Sequence, residues 1–513
     1  MPSRSDRSRI SKCGRKAALL ALLPLVACAT DELALAPAAP ERPWAIPPGF
    51  EDLPRPGIAN AARLVDRITP HPGRSDRGRD DKTRDNAVSI DPTRHYDLAG
   101  LIDLAERNNP ETREAWERAR QAALAVGLAE TSYLPQISAE AIGGFQHTPL
   151  PIPAALVPKG YFIADTRELI PALATKWLLF DFGQREGTVA AARANAFVAD
   201  VAFTGAHQKL IYAVSRDYFA LGAARGRLRV AQQSLKMAEV VQDVSETRRA
   251  HGLATVVEEA QARRQTAQAR FNLERAAGVD RTAYAALIAS MGIAPSTPIE
   301  TADSTELRLP PAPSGNVDKF VQDALEGRPD IIAALGKVRA AERMLSSARA
   351  TYYPTIGLEA RAYENAGGLS TDGSRYYSVN EPGASILLKL SVPLYDGGLR
   401  DARVATARSE VAAARDTLNH TRDTSVQQVT DAYDALRTSF AEYTASLTLN
   451  QTAQTAYDAA LDAYRHGVGT YTDVVTGETA LSQAQSEKED AHANVFTAAA
   501  ALAFSTGAIL TQP

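Results

Sequence analysis

The chain has 513 residues, 45% of them hydrophobic and 6% aromatic, with a formal net charge of −4. That balance excludes a basic nucleic-acid-binding stripe outside the extreme N-terminus, and so few aromatics beside so much alanine suit long, closely packed helices better than one bulky core. Of the two cysteines, Cys13 and Cys28, the first lies in a segment that reads as removable, so no thiol pair remains for a disulfide or a cysteine metal site.

Residues 1–27 read as a targeting signal, with Arg4, Arg7, Arg9, Lys12, Arg15 and Lys16 ahead of a short apolar stretch over 17–26. The sequence Leu25-Val26-Ala27-Cys28 departs from a small-x-small cleavage box and resembles the lipobox of bacterial lipoproteins. That resemblance implies cleavage before Cys28 and acylation of its thiol, and Ala29 in the next position implies sorting to the outer membrane. An ordinary signal peptide with an incidental cysteine is the plain alternative. Beyond residue 28 no apolar run reaches the roughly 18 residues that a spanning helix needs. Residues 28–95 form a Pro/Arg/Asp-rich leader, extended or partly disordered, whose charge run at 74–81 reads as solvated linker.

From 97 to 132 apolar residues recur at helical spacing, with Pro110 interrupting and Asn109-Pro110-Glu111 restarting the helix. After Tyr133-Leu134-Pro135 the period changes to two: Ile137, Ala139, Ala141, Gly143 and Phe145 alternate with polar residues, and the returning strand sets Leu173, Trp177 and Leu179 against Lys176. Strands of about ten residues, apolar on one face and charged or small on the other, fit transmembrane β-strands, although an amphipathic hairpin on a soluble sheet has the same alternation. A proline-free stretch from 184 to about 249 then predicts a helix of roughly 100 Å, which stops at His251-Gly252 and reverses into a second helix over 256–289.

The chain then repeats itself. Phe180-Asp181-Phe182-Gly183-Gln184-Arg185 returns as Tyr395-Asp396-Gly397-Gly398-Leu399-Arg400, and His251-Gly252 returns as His466-Gly467, both at an offset of 215. Upstream the offset is 219, as Asn109-Pro110-Glu111 against Arg328-Pro329-Asp330 shows, so the first copy carries four extra residues between Pro135 and Asp181. An indel of this kind belongs in a loop. The second copy repeats the hairpin, with Ala384, Ile386, Leu388, Leu390, Val392 and Leu394 on one face, then a long helix from 399 to about 465 and a short one over 473–503. The domains expected are therefore a signal peptide (1–27), a leader (28–95), repeat 1 (96–292), a linker (293–316) and repeat 2 (317–510), each repeat a helix, a hairpin, a long helix and a helix. The helices at 97–132 and 317–350 would stack end to end on the shorter partners of the long ones.

Two hairpins supply four strands, which cannot close, and an open edge in hydrocarbon costs several kcal/mol per unsatisfied group. Three copies give twelve strands, so the expectation is a trimeric tube. The motifs Arg328-Pro329-Asp330, Val392-Pro393-Leu394-Tyr395-Asp396-Gly397-Gly398 and the stretch Tyr464-Arg465-His466-Gly467-Val468-Gly469-Thr470-Tyr471-Thr472-Asp473-Val474-Val475, with the duplication, resemble the TolC-like outer-membrane factor family, in its lipoprotein branch, over residues 96–510. The resemblance implies a mainly α fold with a small transmembrane β part: a homotrimeric 12-stranded β-barrel continued by a long α-helical barrel in the periplasm. It implies a cell-outer-membrane exit duct of a tripartite efflux pump, meeting a periplasmic adaptor (membrane fusion) protein and an inner-membrane RND or ABC transporter, with outer-membrane lipid around the barrel.

The adaptor-docking tips would be Gly252, Thr255, Gly467, Gly469 and Thr470. Glu258 and Asp473 match positions where the family places pore-facing carboxylates, and Asp473 in a trimer would form a ring attractive to cations; both acids also suit the first turn of a helix for dipole reasons alone. Thr476 stands where some members carry a second acid, and Gly469 where some carry an arginine tether. Type I protein secretion is the alternative within the channel class, and a periplasmic structural coiled-coil lipoprotein the alternative outside it. No Walker loop, His-Glu-x-x-His or nucleophile elbow occurs, so no catalytic residue, metal or cofactor is assigned.

Overall fold

The computed structural model describes residues 36–44, 94–153, 155, 158–313 and 315–509. Cys28, the signal segment and most of the leader lie outside the described residues. The elements in order are β1 (His95–Tyr96), α1 (Leu98–Asn108), α2 (Pro110–Glu130), β2 (Gln136–Pro151), β3 (Tyr161–Phe180), α3 (Gln184–Ala250), α4 (Val256–Ser290), β4 (Glu300–Thr301), α5 (Val317–Gly327), α6 (Pro329–Ala350), β5 (Thr355–Thr371), β6 (Tyr377–Ser391), α7 (Leu399–Arg465) and α8 (Tyr471–Ser505). The duplication is reproduced element by element: α3 and α7 have 67 residues each, and α4 and α8 have 35 each. The strands of the first hairpin are separated by residues 152–160 and those of the second by 372–376, so the four extra residues fall between paired strands and leave the pairing intact.

The chain divides into two compact units. The first draws on residues 120–197 and 335–416 and contains an antiparallel sheet of order β2-β3-β5-β6. Directly paired residues share a face. Ala139 pairs with Leu173, Leu173 with Ala362, and Ala362 with Ala384, while Ile356, Leu358 and Ala360 meet Leu390, Leu388 and Ile386. The opposite face carries Gln136, Lys176, Glu359, Arg361 and Lys389, and Lys389 lies 3.3 Å from Glu359. The apolar face is bare: Ile386, Leu388 and Leu390 are 65–76% exposed.

The strands have 16, 20, 17 and 15 residues, longer than the ten or so that the alternation suggests. The apolar–polar alternation fades at Gly143-Gly144 and Gly367-Gly368, but the hydrogen-bonded ladder needs no side chains and runs on to the turns.

The recurrent Asp-x-x-x-Arg motif is the joint between sheet and long helix. The Asp181 carboxylate accepts from the Arg185 amide and Nε, both at 2.9 Å, and Arg185 Nη1 reaches back to the carbonyls of Ser132 and Leu178 at 3.0 and 2.6 Å, its guanidinium over the Tyr133 ring. Asp396, Arg400, the Pro393 carbonyl and Tyr352 repeat the arrangement. One arginine thus satisfies the last strand carbonyls while its aspartate caps the helix. The copies share a left-handed backbone position but fill it differently: Phe182 holds a φ of 53° where the second copy has Gly397 at 70°. Its ring is packed against Phe180 and Tyr353 at 4.6 and 5.5 Å, contacts that offset the strain.

Of the described residues, the second unit draws on 37–44, 94–119, 198–313, 315–334 and 417–509. Its parallel β1–β4 pair lies beside a core that includes Leu101, Leu104, Val214, Leu221, Leu287, Ile288 and Met291. The Asn109 side chain donates to the Ser290 carbonyl at 2.9 Å, and Arg328 Nη1 to the Ser505 carbonyl at 3.0 Å. The start of α2 therefore caps the end of α4, and the start of α6 the end of α8. The described leader residues are held here too: Trp116 donates to the Pro37 carbonyl and Thr204 to that of Trp44. Among the described residues no helix is long and apolar enough to cross a membrane.

Candidate functional site at the helix reversals

Both reversals lie in the second unit and share one design. Gly252 and Gly467 adopt φ of +73° and +78°, which a side chain resists and glycine does not. Around Gly252 the Leu253 amide bonds the Arg248 carbonyl at 2.8 Å and the Gly252 amide that of Arg249 at 2.9 Å; Val468 and Gly467 do the same to Ala463 and Tyr464. These are Schellman closures of the last helical carbonyls. His251 and His466 bond the carbonyls four residues back, of Thr247 and Asp462, which makes both histidines part of the cap. Gly469 has an added role: its amide joins that of Val468 on the Ala463 carbonyl, and a side chain there would press to 2.9 Å against Ala463.

The next helix opens with a capping box in each copy. The Thr255 hydroxyl accepts from the Glu258 amide and the Glu258 carboxylate accepts from the Thr255 amide; Thr470 and Asp473 are arranged alike. Asp473 takes a further bond from the Thr470 hydroxyl at 2.6 Å, and these Thr470 contacts hold its carboxyl below the ordinary aspartate range. Asp473 and Thr476 lie one turn apart on the exposed side of α8, opposite the buried Tyr471, Val474, Glu478 and Leu481, whereas Glu258 is half-buried. The reversals also present Leu253, Val256, Val257 and Val468, each 63–84% exposed.

The family model for outer membrane efflux proteins matches residues 101–293 and again 320–508, its bounds shifted by the same 219 and 215 residues that relate the two repeats. The chain belongs to that family. Among curated relatives of this efflux protein, Protein CyaE of Bordetella pertussis is 29% identical over 68% of the chain and 72% of its own length. Outer membrane protein OprJ of Pseudomonas aeruginosa is 27% identical over 72% and 76%. A crystal structure of CusC superposes with a TM-score of 0.69 at 22% identity, covering 80% of the chain and 92% of CusC, and shows the TolC-like fold.

Beneath the tips the efflux protein carries groups that the periodicity of the sequence does not single out. Arg248, near the end of α3, donates to the Tyr464 carbonyl of α7 at 2.7 Å and covers the Tyr464 ring, binding one hairpin to the other. Within the first hairpin the buried Glu259 is bracketed by Arg249 and Arg263, the latter at 2.6 Å, and Arg263 also meets Glu246 at 3.1 Å. Gln242 and Arg263 hold the Glu246 carboxyl below the usual range. In the second hairpin Glu478 is 1% exposed among Tyr457, Tyr464, Tyr471 and Val474. The visible signal is the comparison of copies: residue 259 is Glu where 474 is Val, and 263 is Arg where 478 is Glu.

Proposed function

We propose that this efflux protein is a homotrimeric exit duct of a tripartite pump, in which three four-stranded sheets close edge to edge into a 12-stranded barrel. The observation that carries the reading is the open sheet, with β2 and β6 as edges unpaired among the described residues and one face apolar and bare. In lipid such edges need partners, and identical protomers supply them without new chemistry. The acylated Cys28 anchors the leader to the outer membrane, and the helix reversals face the periplasm. There Leu253, Val256, Val257 and Val468 offer an apolar surface to a periplasmic adaptor, with Gly252, Thr255, Gly467, Gly469 and Thr470 fixing its shape and an inner-membrane pump of the RND or ABC type supplying the energy. Asp473 forms a ring of three carboxylates at the narrow end, with Thr476 beside it and Glu258 contributing from the first hairpin. The protein passes cargo and performs no catalysis.

Reconstitution of the purified trimer in planar bilayers tests the channel. Discrete conductance steps with cation preference are expected, and Asp473→Ala is expected to weaken that preference; silent bilayers overturn the reading. A single cysteine replacing Val468 tests docking, with a crosslink to the co-expressed adaptor as the expected product.

A further inference from the structure

We propose that Glu478 is a proton-controlled switch in the seam between the two helical hairpins of each protomer, letting them stay closed when neutral and loosening them when ionised. The proposal concerns the packing of one protomer and does not require the channel reading.

The geometry places this carboxyl where four helices meet. Its Oε1 accepts from the Ser234 hydroxyl of α3 at 3.3 Å, and its Oε2 has no hydrogen-bond partner among the described residues. From α4 the Gln265 amide faces it, with Arg264 beside Tyr471. From α7 comes Tyr457, flanked by Arg465 and Asp458, and on α8 itself Tyr471, next to Tyr464. The hydroxyls of Tyr464 and Tyr471 are buried without hydrogen-bond partners among the described residues. The surrounding cluster draws Val241 from α3, Ala262 from α4, Tyr457 and Tyr464 from α7, and Val474 and Leu481 from α8, so both hairpins share it.

A neutral carboxyl with one weak bond is tolerable in such a place, but a carboxylate with no cation is not. Burial is the largest cause of a shift to about 7, opposed by the Ser234 hydroxyl and the Gln265 amide. The group therefore changes charge near neutrality, and it does so in only one of the two copies, because residue 263 at the equivalent place is an arginine paired with Glu246 and Glu259. Loosening follows because separation of the hairpins admits water to the carboxylate, whereas closure forces it to keep a proton.

The test is hydrogen exchange of the intact purified protein at pH 6 and pH 8, with rates normalised to the intrinsic chemistry, read on peptides covering 471–485 and 234–245. Ionisation of an exposed Glu in the loosened form against one near 7 in the closed form raises the opening equilibrium about tenfold over that interval. Wild type is expected to show this loss of protection, and Glu478→Gln to show none. Glu478→Leu supplies the same reading if the amide variant assembles poorly. Equal protection of wild type at both pH values, or a tenfold loss retained in the variants, overturns the proposal.

Discussion

The two hairpin tips have one backbone and two chemistries. Both close with a Schellman glycine and reopen with a threonine capping box, and every position matches at an offset of 215. Underneath, the first is held by an ionic ladder, Arg249–Glu259–Arg263–Glu246, and the second by Tyr464, Tyr471 and Val474 around a lone Glu478. Duplication thus preserved what fixes the path of the chain and released what fills the space between helices. The ladder is half open to water, with Arg249 and Arg263 45% and 61% exposed, so its pairs contribute modestly. The aromatic side is dry and depends on remaining uncharged.

The largest expected effect comes from forcing one chemistry onto the other. Val474 is fully buried where its counterpart is Glu259, so Val474→Glu adds a second carboxyl to the dry cluster and should destabilise by about 3 kcal/mol or more. Adding Glu478→Arg supplies the partner one turn on, as in the first copy, and should recover more than about 1 kcal/mol. Urea midpoints of helical circular dichroism at fixed protomer concentration measure both.

Next in size is Glu478→Leu. The folded carboxyl at about 7 lies above its ordinary 4.5, so the folded form binds the proton more tightly. Ionisation then costs nothing below pH 4.5, its penalty grows between 4.5 and 7, and it levels off at about 3 kcal/mol above. The advantage of the leucine variant over wild type should be about that amount larger at pH 8 than at pH 4.5. A variant no more stable at pH 8 than at pH 4.5, relative to wild type, would place the carboxyl in water.

How much of this was legible beforehand depends on whether a residue repeats or departs from the repeat. The long helices, the end-to-end helix contacts and the hairpin indel follow from periodicity and from the two offsets, because backbone geometry constrains sequence at every turn. Glu258 and Asp473 could be placed in the first turn of a helix for the same reason. Strand length could not be read, since hydrogen-bonded pairing continues where alternation stops. Arg248 was silent because it acts through a carbonyl on another helix, and Glu478 showed only as a departure from Arg263: it lies four residues from Val474 on an apolar face, where only folding shows that no charge among the described residues opposes it.

The smallest expected effect separates the two caps. Thr470 gives its amide and its hydroxyl to Asp473, whereas Thr255 gives Glu258 its amide. Replacement by alanine costs about 1 kcal/mol at either site through the lost acceptor for the third amide, with Thr470→Ala larger by a few tenths. The distinction is sharper in charge than in stability. Asp473 loses the hydroxyl bond that contributes most to keeping its carboxyl acidic, so its protonation moves to higher pH, back toward the ordinary aspartate range. Cation preference of the reconstituted channel, followed downward in pH, should therefore fade earlier in Thr470→Ala than in wild type, while Thr255→Ala should leave the profile unmoved. Serine at position 470 keeps the hydroxyl and should restore it. A profile that is the same in all four proteins would detach Asp473 from the constriction and leave it as a helix cap alone.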